Sequence, residues 1–187
     1  MKKLVFFSTT LLLLNATGQA QNNVSTEYYE NGNKKSEGIL IGAVSISPND
    51  TKQEQAQKLS NVTKDGKWSY WYDNGKLNSE EYYKNGSGTA IWRSWYPDGQ
   101  LNSEINFETS RATYWHANGN KQSEGTMLKG INKQGKWVAW HENATKNCEG
   151  NYKNGQKEGI WLWWNEKGEK TFEETYQEGT QISLKKL

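Results

Sequence analysis

The chain has 187 residues, with 23 basic and 21 acidic side chains and a formal charge of +2 at neutral pH. Nucleic-acid binding needs a clustered basic excess, whereas here lysines and glutamates are interleaved along the chain, so nucleic acid and anionic membrane surfaces are disfavoured as partners. Ten Trp and ten Tyr residues indicate that apolar burial depends on aromatic rings.

Residues 1–20 are predicted to be a secretory signal peptide. Two lysines precede an apolar run from Leu4 to Leu14, and the small residues Gly18 and Ala20 lie where a signal peptidase cleaves. The run is too short to span a bilayer, so the mature chain is predicted to begin at Gln21. We therefore expect an exported bacterial protein, either periplasmic or extracellular.

A weak first repeat is predicted over residues 21–38, followed by an insertion over residues 39–63. Within the insertion, Asp50 or Thr51 is suited to cap a helix of two to three turns. The length of the insertion also matches one repeat, so a decayed repeat is the alternative. We favour a loop that carries a short helix.

Tandem repeats are predicted over residues 64–180, with a tail over residues 181–187. The unit is clearest from Gly66 to Gly86, which reads GKWSYWYDNGKLNSEEYYKNG. One tryptophan of this phrase recurs at intervals of about 20 to 25 residues, a period typical of stacked supersecondary units. The recurring residues are Trp71, Trp95, Trp115, Trp140 and Trp164.

Each unit is predicted to be a β-hairpin, because Asn74-Gly75 separates two segments in which aromatic and polar residues alternate. We expect a two-residue type I′ turn, in which both central residues have a positive φ. Ala144 replaces the turn glycine in one repeat, where a positive φ is costly and the turn should be wider or looser. The predicted cross-strand pairs are Asp73 with Lys76, Tyr72 with Leu77, and Tyr70 with Ser79.

Successive hairpins predict an antiparallel meander in which equivalent residues lie two strands, or about 9.6 Å, apart. That distance is too long for direct ring contact, so side chains of the intervening strand must fill the gap. Trp68 and Tyr70 should face one way, together with Tyr72, and Trp71 should face the other. A sheet with rings on both faces folds over itself, packs on a second copy as a homodimer, or leaves a binding surface exposed.

The phrase Gly-x-Trp-x-x-Trp-Tyr-x-Asn-Gly-x-x-x-Ser-Glu resembles the MORN-repeat family. It is most similar to the bacterial variant found in YwqK-type antitoxin-component proteins, over Glu27 to Gly38 and Gly66 to Gly179. The resemblance implies a row of hairpins in an extended all-β sheet that binds proteins or membrane lipids and has no catalytic activity. Export fits poorly with a cytoplasmic antitoxin. The chain departs from the family phrase at Ala112, Ala144 and Asn165.

No cofactor, metal site or catalytic group is predicted. His116 and His141 occupy a slot that holds tyrosine in other repeats, and Cys148 occupies a slot that holds serine. A glutamate recurs in every copy, which indicates a structural position such as a cross-strand partner for lysine. These glutamates are Glu37, Glu80, Glu104, Glu124, Glu149 and Glu173.

We predict an exported, non-catalytic module that binds or scaffolds another protein, with an antitoxin-like role by resemblance. The alternative is that an exposed aromatic row binds an envelope glycan or a choline-type group. A plainer interpretation is that the same rings form the core. The candidate binding residues are Trp71, Tyr72, Trp95, Tyr96, Trp115, Trp140 and Trp164.

Overall fold

The computed structural model describes residues 23–42, 49–60, 62–129 and 132–187, so the predicted signal peptide lies outside the described residues. The chain divides into two compact units after Gly88. The first unit contains β1 (Asn23–Tyr28), β2 (Lys34–Ile41), α1 (Lys52–Leu59), β3 (Thr63–Trp71) and β4 (Leu77–Lys84). Strand β5 (Ser87–Trp95) begins at the division.

The second unit continues with strands β6 to β13. These are β6 (Leu101–Asn106), β7 (Arg111–Trp115), β8 (Lys121–Leu128), β9 (Asn132–Trp140), β10 (Lys146–Lys153), β11 (Gln156–Trp164), β12 (Lys170–Gln177) and β13 (Thr180–Lys186). Within each unit, every strand pairs antiparallel with its neighbours in sequence. The predicted all-β meander is therefore confirmed.

The predicted short helix is also confirmed, as α1. Thr51 is its N-cap: the Thr51 hydroxyl accepts from the Glu54 N–H, and the Glu54 carboxylate accepts from the Thr51 N–H. This reciprocal capping box satisfies two backbone donors that a helix start leaves open. No described helix is long and apolar enough to cross a membrane.

The hairpin turns contain three residues, so the predicted two-residue type I′ turn at Asn74-Gly75 is wrong. The Tyr72 N–H donates to the Lys76 carbonyl at 2.8 Å, and the Gly75 N–H donates to the Tyr72 carbonyl at 3.0 Å. Gly75 has a positive φ of 81°, but Asn74 does not. This is a type I turn followed by a left-handed residue, the usual three-residue hairpin loop.

The three-residue turn changes which residues of the two strands pair next to it, relative to the predicted register. The pair of Tyr70 with Ser79 is confirmed. The other two predicted pairs are wrong, because Leu77 pairs with Trp71 and Asp73 lies inside the turn.

Side-chain hydrogen bonds select this turn. The Asn31 Oδ1 accepts from the Asn33 N–H, while the Asn31 Nδ2 donates to the Asp73 carbonyl in the next hairpin turn of the first unit. Asn118 and Asn143 make the same two kinds of contact in the second unit. Two-residue type I′ turns instead connect one hairpin repeat to the next, as at Asn154-Gly155, where both φ angles are positive.

Ala144 adopts the glycine conformation, with φ at 65°, and its turn keeps both backbone hydrogen bonds of the other turns. The expectation of a wider or looser turn is thus wrong, because Ala144 adopts the positive φ. A left-handed alanine costs about 1 kcal/mol relative to glycine. We predict that Ala144→Gly raises the free energy of unfolding by about that amount in urea titrations. The control Ala139→Gly, in strand β9, should lower it.

The core face is defined here as the sheet face that carries Trp68 and Tyr70 in the first unit and Trp137 and Trp161 in the second. Each indole lies flat against a glycine of the preceding strand. A Cβ atom added to Gly125 would lie 2.4 Å from ring atoms of Trp137, and one added to Gly150 would lie 2.3 Å from Trp161. Glycine is therefore required beneath each ring.

The same contact recurs in the first unit, where Gly38 lies beneath Trp68. Each buried indole N–H also donates to the backbone carbonyl of the residue after that glycine. The acceptors are the carbonyls of Ile39, Thr126 and Asn151, at 3.0 to 3.2 Å. The indole polar atom is thus satisfied within the sheet.

We call the contact between one repeat and the next a joint. At one joint in the second unit, the small residue and the large residue exchange places. Ile105 pairs directly with Ala112, which is fully buried. A large residue here occupies the glycine position and a small residue occupies the tryptophan position. The fourth repeat therefore compensates for its missing tryptophan.

Tyrosines of the intervening strands link the buried tryptophans, as the strand spacing predicts. The Tyr152 ring centroid in β10 lies 6.0 Å from that of Trp137 in β9 and 5.1 Å from that of Trp161 in β11, and both contacts are edge-to-face. This geometry suits the ring quadrupole. The prediction that intervening side chains fill the gap is confirmed.

Candidate binding face

The predicted binding residues lie at the turn ends of their strands, and all seven are half-buried. Trp71 ends β3 in the first unit, while Trp95, Trp115, Trp140 and Trp164 end β5, β7, β9 and β11 in the second. By strand alternation these tryptophans face away from the buried indoles. We call the face that carries them the ladder face.

Lysine ammonium groups lie over several of these rings. The Lys34 Nζ is 5.1 Å from the Trp71 ring centroid, the Lys121 Nζ is 5.3 Å from that of Trp140, and the Lys146 Nζ is 4.8 Å from that of Trp164. Such placements are weakly attractive cation–π contacts. These lysines were not among the residues predicted from the sequence, although each lies two places after the last residue of a hairpin turn.

In the second unit, strand pairing places three lysines opposite three tryptophans, so that tryptophans and lysines alternate. Lys121 pairs with Trp115, Lys146 with Trp140, and Lys170 with Trp164. Each of the first two lysines therefore bridges the tryptophan of its own hairpin and the tryptophan of the next. We call this series, from Trp115 to Lys170, the Trp–Lys ladder.

Four of the six recurring glutamates, Glu80, Glu104, Glu124 and Glu149, are cross-strand ion-pair partners of a lysine or arginine, whereas Glu37 pairs with Lys34 of its own strand. Glu80 pairs with Lys67, and Glu104 pairs with Arg93 at 2.9 Å. Glu149 contacts both Lys136 and Lys146. Partial burial acts to raise the pKa of Glu149, but the hydrogen bonds and charges of the two lysines outweigh it and leave that pKa lower than usual.

In the first unit, the ladder face has an open depression of about 290 Å³ beside Trp71. It is lined by Asn33, Lys34, Trp71 and Gly75. The Lys34 Nζ also forms an ion pair with Glu37 at 2.6 Å. The Trp71 indole, the Lys34 ammonium group and the Asn33 amide thus border this open depression.

Both histidines substitute for tyrosine, as predicted. The Tyr96 hydroxyl donates to the Trp115 carbonyl at 2.8 Å, and the Nε2 atoms of His116 and His141 lie 2.9 Å from the carbonyls of Trp140 and Trp164. Because a carbonyl only accepts, each Nε2 must carry a proton. These side chains tie each turn to the next strand. In the described residues, no group of three or more His, Cys, Asp or Glu residues could hold a metal ion.

We predict that His141→Ala lowers the free energy of unfolding by about 1 kcal/mol, the usual contribution of one hydrogen bond. His141→Tyr should retain most of the stability, because tyrosine makes the equivalent bond at Tyr96. Thermal denaturation of the three proteins measures both effects. Equal losses in the two variants would contradict this role of the side chain.

The core face also contains lysines among its rings. The Lys157 Nζ lies 4.5 to 4.8 Å from the ring centroids of Trp161, Trp163 and Tyr176, and Lys133 lies similarly over Trp137 and Tyr152. Burial lowers the pKa of Lys133. Cys148 is buried on this face, and burial raises the pKa of its thiol. A raised pKa disfavours the reactive thiolate, which agrees with the predicted structural slot.

Three stretches of the chain match the family described as the MORN repeat variant: residues 21–39, 64–85 and 89–109. Repeats of this family are generally non-catalytic modules that bind proteins or membranes. No curated protein matches the sequence. The matched stretches include the first predicted repeat and the two repeats in which the hairpin phrase is clearest.

Proposed function

We propose that this chain of MORN-variant repeats is an exported, non-catalytic module that binds another protein. The observation that carries this proposal is the edge strand β13. All seven of its residues are exposed, and among the described strands it pairs only with β12. Its outer backbone N–H and C=O groups are therefore open to an incoming strand.

Apolar side chains accompany this open edge. Ile182 is 60% exposed and Leu184 is 58% exposed, and Phe172 on the adjacent strand β12 is also exposed. Proteins usually protect such edges, so uncovered isoleucine and leucine favour a partner strand. A partner strand added to β13 would cover these side chains and would form hydrogen bonds with the outer N–H and C=O groups of β13.

The leader-like first twenty residues support export, and an exported chain would meet its partner in the cell envelope or outside the cell. The antitoxin-component resemblance suggests a toxin as one class of partner. An extended peptide segment, either of an envelope protein or of a toxin, fits the edge of β13.

Affinity capture from envelope extract tests this proposal. The immobilised chain should retain one protein in stoichiometric amount, and the variant Ile182→Lys/Leu184→Lys should lose it. The control Gln181→Lys/Ser183→Lys adds the same charge to β13 without removing apolar side chains, so it should retain most of the binding. Equal capture by all three proteins would exclude β13 as the docking edge.

A second candidate function is ligand binding by the half-buried tryptophans on the ladder face of the second unit. Choline fits poorly, because its positive charge would be repelled by the ammonium groups of Lys121 and Lys146, which lie over Trp140 and Trp164. We therefore expect no saturable quenching of tryptophan fluorescence by choline. An envelope glycan remains compatible with the partly exposed rings.

A further inference from the structure

The charges on the ladder face of the second unit do not balance within each repeat. Glu124 lies 3.6 Å from Arg111 and 2.9 Å from Lys121, and no second carboxylate joins these cations in the described structure. Glu149 is likewise shared by Lys136 and Lys146, at 3.1 and 3.2 Å. Each cluster of two cations and one carboxylate therefore keeps one surplus positive charge.

The surplus charges alternate with aromatic rings in a fixed order. Lys121 and Lys146 belong both to the charge clusters and to the Trp–Lys ladder, where they lie over Trp140 and Trp164. Lys170 extends the ladder, 5.7 Å from the Trp164 ring centroid, and has no ion pair in the described part of the chain. One ring and one surplus positive charge thus recur together in these two successive charge clusters.

The spacing of this pattern limits the ligand. Equivalent positions lie two strands apart, about 9.6 Å at the usual strand spacing. A single nucleic-acid strand carries one charge about every 3.4 Å, so most of its phosphates would remain unpaired here. A disaccharide is comparable in length to two strand spacings, and the flat C–H face of a sugar ring stacks on indole.

We propose that the ladder face binds a linear acidic polysaccharide with one carboxylate per disaccharide. The carboxylates pair with the surplus charges at Lys121 and Lys146, and sugar rings contact the exposed parts of Trp140 and Trp164. This site lies apart from the β13 edge and goes beyond the protein-binding function proposed above.

Several weak sites in register bind a polymer more tightly than one site does, because the second contact becomes intramolecular. Affinity should therefore rise steeply from a disaccharide to a hexasaccharide. A neutral sugar chain of the same length stacks on the same rings but leaves the surplus charges unpaired.

Calorimetric titration with hyaluronan hexasaccharide, which alternates a carboxylated and an uncharged sugar, provides the test. We expect binding at ligand concentrations below about 1 mM and at least tenfold weaker binding of chitohexaose, its neutral counterpart. Equal binding of the two would overturn the proposed charge recognition. Absence of hyaluronan binding would overturn the site itself.

The variant Lys121→Met/Lys146→Met removes two surplus charges while methionine keeps an apolar stem over each indole. Glu124 and Glu149 retain Arg111 and Lys136, so no carboxylate loses all of its partners. We expect at least a tenfold loss of hyaluronan affinity with little change in thermal stability.

The control Lys129→Met/Lys153→Met removes the same charge from exposed positions outside the ladder. It should bind hyaluronan within about twofold of the unmodified chain. An equal loss in this control would show general electrostatic attraction and would overturn the site. The β13 variant Ile182→Lys/Leu184→Lys should still bind hyaluronan, so failure of the protein-binding proposal is distinguishable from failure of this one.

Discussion

Trp137→Ala is expected to lower the free energy of unfolding by about 3–5 kcal/mol, the usual loss for a buried aromatic residue. Trp137 is only 3% exposed and contacts the rings of Tyr114 and Tyr152. Gly125→Ile should cost at least about 1–3 kcal/mol, because its Cβ would lie within 2.4 Å of the indole and force it outwards. Urea titration of each variant measures both values.

The double variant Gly125→Ile/Trp137→Ala should be more stable than the sum of the two losses predicts. It places a large residue opposite a small one, as the chain itself does at Ile105 and Ala112. We expect a favourable coupling of about 1–3 kcal/mol.

The mismatched control Gly125→Ile/Trp161→Ala alters two residues that are not partners, since Trp161 lies against Gly150. Its losses should be close to additive. Additivity in the matched pair would contradict the assigned contact between Gly125 and Trp137.

Alkaline pH should unfold the protein, because burial raises the pKa of five tyrosines above the ordinary value near 10. Tyr70 and Tyr83 lie in the first unit, and Tyr114, Tyr152 and Tyr176 lie in the second. Their stabilisation is fully present below pH 10 and is lost as the pH rises through the raised values. Each phenol that ionises only on unfolding removes up to about 1.4 kcal/mol per pH unit.

Lys133 acts in the opposite direction. Burial lowers the pKa of Lys133, so its contribution grows as the pH rises from that lowered pKa to the ordinary lysine value near 10.5. One such group is outweighed by five tyrosines. Instability above pH 10 is therefore the expected net result.

Tyrosinate absorbance and circular dichroism, recorded together, test this expectation. Ionisation of the buried phenols should coincide with loss of the β-sheet signal. Tyr152→Phe removes one ionising group, so at pH 11 it should lose about 1 kcal/mol less stability than the unmodified chain, relative to neutral pH. Complete tyrosine ionisation near pH 10 with an intact sheet would contradict the prediction.

Local sequence patterns were sufficient to predict the meander and the faces of its side chains. The tryptophan period gave the hairpin unit, and residue alternation placed Trp68 and Tyr70 on one face. The strand spacing also predicted that side chains of the intervening strand fill the gap between equivalent residues, as Tyr152 does between Trp137 and Trp161. These features depend only on residues within one repeat or in adjacent repeats.

The turn type could not be derived in this way, because Asn-Gly suits both a type I′ turn and the longer turn observed. The contact of Asn31 with the Asp73 carbonyl in the next turn joins residues far apart in sequence. The segment described from sequence as a tail over residues 181–187 forms most of β13, since its backbone pairs with β12. Both features arise between repeats.

The location of the aromatic row was predictable, but its surroundings were not. Sequence spacing identified Trp140 and Trp164 as equivalent, whereas only the strand pairing shows that Lys121 and Lys146 lie over their rings. A correlation was nevertheless present in the sequence: the residue after the recurring glutamate is glycine where Gly-x-Trp follows in the next strand, and it is Ile105 before Ala112.

The reversed joint between Ile105 and Ala112 restricts how this chain can gain or lose copies. A segment of the chain that both begins and ends at a joint between glycine and tryptophan can be duplicated or deleted, because the residues that then meet across the new joint still match in size. A cut at the Ile105 joint would place isoleucine against tryptophan, or alanine against glycine. Recombination should therefore change the array length on the C-terminal side of this joint, between the Gly125–Trp137 and Gly150–Trp161 joints, and leave the Ile105 joint itself in place.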